Sequence, residues 1–391
     1  MVNRDTFLPY GQQWLEEDDI QAVIDVLRSD YITTGPAVKQ FEEDVASYVD
    51  AEYAVAFSNG TAALHAACFA ADIYEGDEVI TSPMTFVASS NCVLYQGGTP
   101  VFADINPQTY NIDPIEVRKK ITKDTKAIIP VDFTGQPIDI ETIRTIAEDY
   151  NLIIIEDAAH AIGATYKNEK VGSLSDMTMF SFHPVKHVTT GEGGVITTDN
   201  PTYYKKLLHF RSHGITRDKN DLENNSQGDW YYEMQELGYN YRMTDIQAAL
   251  GSSQLKKLDA FIGRRREIVK QYKEAFEGVE GLQTPYQAEN SHSSWHLYVL
   301  RFNQEIVSLS RKEIFEQLKK RNIGVNVHYI PVHLQPYYQQ LGWEKGMFPV
   351  AEQLYEEIIT LPLFPKMSDE DVKDVINAVF DVLGLEMRDG R

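Results

Sequence analysis

One lysine stands where a reactive amine would be kept. In Ser181-Phe182-His183-Pro184-Val185-Lys186-His187-Val188-Thr189-Thr190-Gly191-Glu192-Gly193-Gly194, an apolar run from Met177 to Phe182 leads to Lys186, and hydroxyl and glycine residues follow at once. A lysine condenses with a carbonyl only as the neutral amine, and burial among apolar neighbours lowers its pKa toward that form. The same pattern also suits a lysine that snorkels out of a strand end. His183 and His187 flank it, but the zinc-protease helix pattern needs a glutamate beside the first histidine, so no metal site is read from this pair.

Two further stretches carry chemistry. Asp157 follows an apolar run and Glu156, and is followed by Ala158-Ala159-His160-Ala161-Ile162-Gly163-Ala164, whose small residues let something flat lie close. A carboxylate at the end of a buried strand needs a partner, either a backbone cap, an arginine or a protonated ring nitrogen. Ser58-Asn59-Gly60-Thr61-Ala62-Ala63 turns from an apolar strand into a small-residue helix. A helix start with free amides, a glycine and a threonine hydroxyl suits an anion such as phosphate, although the same residues also serve simple capping.

The elements that must position these groups alternate. Apolar periodicity predicts helices over 14–28 and 38–49, a strand over 53–57 and a helix opening at Gly60. Strands over 78–82, 99–104, 127–132 and 152–156 then alternate with helices over 86–96, 114–121 and 140–150. Strands of near-continuous Val and Ile separated by helices predict an α/β fold with a mostly parallel sheet covered on both faces, whose ligands lie beyond the carboxyl ends of the strands. Each candidate cluster falls at such an end. A helix over 203–213, an exposed mobile loop over 218–229 and one long helix from Asp245, capped by Thr244, through Arg264-Arg265-Arg266 come next. That arginine cluster reads as a solvated face. Strands over 296–302 and 324–329 with helices over 311–321, 349–359 and 369–383 predict a smaller α+β unit. The expected division is an N-terminal arm and helix over 1–36, a large domain over 37–250 and a small domain over 251–391.

Composition narrows the class. With 36 Lys and Arg against 58 Asp and Glu, the formal net charge is -22, which argues against a nucleic-acid partner. No run is long enough to span a membrane, and the first residues lack an apolar signal core, so a cytoplasmic protein is expected. Cys68 and Cys92, the two cysteines, sit in apolar settings that suit reduced core packing.

A lysine amine, an acid able to keep a pyridinium protonated, an aromatic to stack on a ring and a glycine-threonine helix start with Ser181 for a phosphate together meet the needs of pyridoxal 5'-phosphate. The chain resembles the DegT/DnrJ/EryC1/StrS sugar aminotransferases, of the fold-type I class, over essentially its whole length. The resemblance rests on Asn59-Gly60-Thr61-Ala62-Ala63-Leu64, Glu156-Asp157-Ala158-Ala159-His160, Ser181 to Lys186, Gly191-Glu192-Gly193-Gly194, Gly238-Tyr239-Asn240-Tyr241-Arg242-Met243 and His328-Tyr329. It implies that Lys186 links covalently to the cofactor and shuttles a proton, that Asp157 pairs with the pyridinium nitrogen and that Phe86 stacks on the ring. It also implies that Gly60, Thr61 and Ser181 hold the phosphate with Asn240 of a neighbouring subunit, which makes a homodimer, and that His160 meets the phenolic oxygen unless it is a packed core histidine. His328, Tyr329 and Arg242 are implied to bind a nucleotide-sugar substrate.

Relatives with histidine at the lysine position act as dehydratases, so Lys186 implies full transamination, with L-glutamate as donor. A narrower likeness, over Arg211-Ser212-His213-Gly214, residues 250–258 and Val327-His328-Tyr329-Ile330-Pro331-Val332, points to members that aminate C4 of UDP-4-keto-6-deoxy-N-acetyl-β-L-altrosamine in pseudaminic acid synthesis. The alternatives are another UDP-, GDP- or dTDP-linked ketosugar, or a cofactor-binding regulator without turnover.

Overall fold

The computed structural model describes residues 4–224 and 228–385. Its centre is a seven-stranded sheet in the order Tyr53–Phe57, Gly194–Thr198, Met177–Ser181, Ile153–Asp157, Thr125–Ile129, Glu78–Thr81, Thr99–Phe102. The last five strands run parallel to one another, and Gly194–Thr198 alone runs against its neighbours. That reversal follows from the chain path: Met177–Ser181 and Gly194–Thr198 are consecutive, and Ser181 faces Gly194 across the pair, so the strand returns directly alongside. The loop between them, which carries Lys186, is thereby anchored at both ends.

Local signals explain the helix starts around the sheet. Asn59 caps Gly60–Ala70 by accepting from the Ala62 N–H at 2.8 Å, Asp113 and Asn200 cap helices that begin with proline, and Thr244 closes a reciprocal capping box with Gln247. Gly60–Ala70 is buried along most of its length, its small side chains letting it lie flat on the sheet. The N-terminal arm is held by polar contacts: the buried Asp19 accepts from Ser253 Oγ and Gln254 Nε2 at 2.6 and 2.7 Å and pairs with Lys257 at 2.8 Å. The Asp245 carboxylate accepts the Gly35 and Ala37 N–H groups, which fixes the turn into Pro36–Val49.

The expected long helix is two, Asp245–Leu255 and Leu258–Phe276. Between them the Lys257 N–H bonds Gln254 O, three residues back, so the helical repeat tightens and a new axis begins. The second helix joins two cores, with Phe261 and Ile262 packed near the large sheet and Ile268, Tyr272 and Phe276 packed among the C-terminal elements.

Those elements include a three-stranded antiparallel sheet of Leu282–Gln283, Tyr298–Phe302 and Ile358–Leu361. The helix expected over 349–359 ends at Glu357, and the β-branched Ile358-Ile359-Thr360 instead pairs with Tyr298–Phe302. The strand expected over 324–329 does not form. Gly324 donates to Leu8 O at 2.7 Å and Asn326 bridges Thr360, so this segment uses its hydrogen bonds on the arm and on the sheet's edge.

The arginine cluster also departs from expectation. Arg265 is 1% exposed and its Nη1 donates to Trp295 O, His296 O and Leu363 O at 3.2, 3.1 and 2.8 Å. A solvated helix face would leave all three arginines in water, but Arg265 lies four residues after Phe261 and three before Ile268, on the face that this helix buries. Burial pushes its pKa down to about 9, which still leaves it charged at neutral pH. Losing a buried, hydrogen-bonded charge strands three carbonyls. Arg265→Leu is expected to cost about 3 kcal/mol of stability, read as a shift of the urea midpoint, with Arg266→Leu, on the same helix but exposed, shifting it far less.

Candidate active site

A cleft of about 1000 Å³ opens at the carboxyl ends of the parallel strands and is lined by Gly60, Thr61, Phe86, Asp157, His160, Ser181, Lys186, His328 and Tyr329. Nine of the eleven residues expected to hold cofactor or substrate therefore meet in one place. Seven of them stand at or just after strands of the large sheet, because parallel strands deliver their following loops to the same edge, and His328 and Tyr329 are added by the C-terminal segment.

Asp157 closes the strand Ile153–Asp157 and is buried. Its Oδ2 accepts from Ser89 Oγ at 2.6 Å and its Oδ1 from the Ala159 N–H at 3.2 Å. Burial raises its pKa, opposed by Ser89, by Ala159 and by the Lys186 charge. This carboxylate is held by neutral donors and by no arginine, which leaves it suited to a cation entering the cleft.

Lys186 is half-buried, and its Nζ lies 3.5 Å from His296 Nε2. Desolvation pushes its pKa down to about 8, with Asp157 pulling the other way. The loop that carries it is tied by Phe182 N–H to Gly193 O at 2.9 Å and Thr190 N–H to Phe182 O at 3.0 Å. Gly194 is needed at its far end, since a Cβ there would meet Asn59 O at 2.6 Å and Gly60 Cα at 2.7 Å. The lysine loop and the Asn59-Gly60-Thr61 turn thus touch through backbone, which brings Ser181 beside Gly60.

His160 is buried, with its Nε2 3.0 Å from the Tyr329 hydroxyl and its Nδ1 without a partner among the described residues. His328 packs against Tyr10 and bonds Thr360 Oγ1 at 2.9 Å through Nδ1; burial and the Lys186 charge push its pKa down to about 3. Phe86 is 57% exposed and tilts toward the Tyr329 ring at 6.2 Å between centroids. Asn240 and Arg242 do not line this cleft: Asn240 is exposed and bridges Ser212, and Arg242 is half-buried and bridges Phe57. Arg211 is engaged with Glu42 and Ala56 O.

Sequence reasoning missed His296 and Ser89. His296 was read only as the first residue of a strand, and Ser89 as part of a helix. The signal for Ser89 was its place one turn inside the helix that follows Pro83-Met84-Thr85-Phe86.

The donor set fits pyridoxal phosphate. An aldehyde needs the depressed amine, a ring nitrogen needs the buried carboxylate, and the ring's oxygen needs a polar atom such as the unpartnered His160 Nδ1. Ser181 Oγ, which accepts a 3.5 Å bond from the His183 N–H, remains available to a phosphate beside the helix start at Gly60. Fold and site together define a Schiff-base enzyme of the aminotransferase type.

The comparisons with known proteins make this specific: residues 13–380 match the model of the DegT/DnrJ/EryC1/StrS aminotransferase family, and the chain belongs to that family. Pyridoxal phosphate is that family's cofactor. The spore coat polysaccharide biosynthesis protein SpsC of Bacillus subtilis is 44% identical over 97% of this chain and 98% of its own. PseC of Helicobacter pylori, an aminotransferase involved in pseudaminic acid biosynthesis, superposes with a TM-score of 0.90 at 32% identity, covering 97% of this chain and 100% of its own. The sugar aminotransferase Spr1654 of Streptococcus pneumoniae, described as putative, reaches 0.90 at 34% identity over 96% and 99% of the two chains.

The depressed lysine gives a direct test. Only the neutral amine attacks a carbonyl, so reactivity rises as pH passes through the folded pKa. The rate at which Lys186 of the cofactor-free chain reacts with pyridoxal, followed by mass spectrometry after reduction, is expected to be half-maximal near pH 8. A midpoint in the ordinary range of surface lysines, about 10.4, would show that the cleft does not desolvate the amine.

Proposed function

We propose that this enzyme transfers the amino group of L-glutamate to C4 of a UDP-linked 4-keto-6-deoxy-N-acetylhexosamine. The observation that carries the chemistry is the pairing of a desolvated Lys186 with the buried, arginine-free Asp157 across one cleft. The altrosamine-configured ketosugar is the substrate we put first, supported by the likeness to PseC and by the motif likeness over residues 250–258 and 327–332.

When bound, pyridoxal phosphate supplies a carbonyl that exchanges amines and a ring that accepts the electron pair left when a carbon–hydrogen bond breaks. The chain's residues do the rest. Lys186 Nζ holds the cofactor between turnovers and, once released as the neutral amine, takes the proton from the donor's amine-bearing carbon. It returns a proton to carbon in the sugar half-reaction. Asp157 would keep the ring nitrogen cationic, Gly60, Thr61 and Ser181 would hold the phosphate, and Phe86 and His160 would hold the ring and its oxygen. His328 and Tyr329 line the outer cleft, where the sugar nucleotide would sit.

Asn240 and Arg242 fit this reading as residues given to a partner's cleft in a homodimer. The surrounding segment exposes Trp230, Met234 and Leu237, which are 75%, 63% and 76% exposed. Apolar side chains this exposed in one stretch suit an interface between copies. A second reading, a different nucleotide ketosugar, is favoured by the 44% identity to SpsC, higher than the identity to PseC. In either case the enzyme works in the cytoplasm, where nucleotide sugars are made.

The test is optical and sequential. The visible absorption of the lysine-linked cofactor is expected to vanish on adding glutamate and to return on adding UDP-4-keto-6-deoxy-N-acetyl-β-L-altrosamine. Bleaching without recovery rejects that sugar and favours the second reading, and no bleaching in a loaded protein rejects glutamate as donor. Lys186→Ala is expected to abolish both changes, and a variant turning over at the wild-type rate would overturn the mechanism.

A further inference from the structure

His296 holds a position that the chemistry above does not use. Its N–H donates to Thr134 O at 2.9 Å and its carbonyl accepts from Arg265 Nη1 at 3.1 Å, so the backbone on either side of the ring is pinned. The ring is buried, lies 4.4 Å from the His160 ring and 5.5 Å from the His187 ring, and has no partner at Nδ1 among the described residues. Its Nε2, 3.5 Å away, is the hydrogen-bond partner found for the Lys186 amine among the described residues.

The groups facing this pair leave one direction for the hydrogen bond. Lys186 is faced by Asp157 from the strand Ile153–Asp157 and by His160, His187, His296 and His328; His296 and His187 are also faced by Arg265 from the helix Leu258–Phe276. Burial and the neighbouring cations keep all four imidazoles neutral. His187 Nε2 is 3.0 Å from Ser294 O, so it donates there and is not free for the lysine. Asp157 is engaged by Ser89 and Ala159 and acts on the amine through charge alone. An ammonium has three protons and no lone pair, so against it His296 Nε2 is the acceptor and the ring proton lies on Nδ1.

We propose that His296 is the positioning residue of Lys186, its Nε2 accepting a hydrogen bond from the ammonium and so setting where the amine rests while it carries a proton. The proton does not pass to His296, since a neutral imidazole this deeply buried accepts the bond without taking the charge. Lys186 gains the proton from the donor's carbon and gives it to the next carbon, and His296 ends as it began. The role in turnover rests on the function proposed above, but the lysine–histidine bond does not.

The test therefore starts on the cofactor-free chain. Competitive acetylation of Lys186 across neutral to alkaline pH, read by mass spectrometry, gives its midpoint in wild type, His296→Leu and His296→Gln. Removing an acceptor disfavours the ammonium, so the leucine variant is expected to titrate about one unit lower, a tenfold loss of proton affinity. Glutamine, whose carbonyl can accept at the same reach, should recover most of it. An unchanged or higher midpoint in the leucine variant overturns the proposal. Nitrogen NMR of wild type below the lysine midpoint does not depend on any variant folding: a proton on Nδ1 of His296 is expected, and one on Nε2 overturns the assignment. In the loaded enzyme the leucine variant should lower kcat and enlarge the isotope effect with 2-deuterated glutamate, with KM little changed, whereas failure of glutamate to bleach even wild type would fault the proposed donor and leave the bond standing.

Discussion

The structure depends on holding a carboxylate and an amine together in a cleft that partly removes both from water. Burial alone moves Asp157 toward its neutral form and Lys186 toward its neutral form, and the attraction between them opposes both shifts. Neither group is given a permanent ionic partner. Asp157 is satisfied by a serine hydroxyl and a backbone amide, and Lys186 by an imidazole. A direct ion pair would have been a simpler way to bury two charges, but it would have tied the amine and the acid to each other. Kept apart, each remains able to serve the ring of a bound cofactor.

The neutral environment is built from histidines and hydroxyls. His160, His187, His296 and His328 come from four segments and surround the amine without adding charge, because burial keeps each unprotonated. Polar but uncharged neighbours can satisfy a proton wherever it is, while a carboxylate in the same place would raise the lysine's pKa and a cation would lower it further.

Two distant features fix this arrangement. Gly194 lets the hairpin that carries Lys186 lie against the backbone of the Asn59-Gly60-Thr61 turn, so the amine and the phosphate cradle share one rigid corner. Arg265, on the helix Leu258–Phe276, collects the carbonyls of Trp295, His296 and Leu363, and the His296 N–H donates to Thr134 O in the loop after Thr125–Ile129, which together fix the His296 segment. The N-terminal arm completes the wall: Leu8 pairs with Ile323, and the Tyr10 ring packs at a tilt against His328.

Much of this was legible in the chain. Strand and helix alternation, capping residues and the apolar runs determined the parallel sheet, and hence that Asp157, Ser181, Lys186 and the Gly60 turn would share its carboxyl edge, because parallel strands leave their loops no other side. Residue type determined the chemistry of those four. Tertiary packing decided what periodicity cannot encode. Arg265 lies on the same helical stripe as Phe261, Ile268 and Tyr272, but which carbonyls it would collect there only packing decided. Segment 324–329 has strand-like residues, yet the arm took its hydrogen bonds, and Ile358–Leu361 left its helix for a sheet because a strand was waiting beside it. His296 gave no sign in sequence, since its meeting with Lys186 spans 110 residues and depends on how the C-terminal segment that carries it is pinned by Arg265 on one side and Thr134 O on the other.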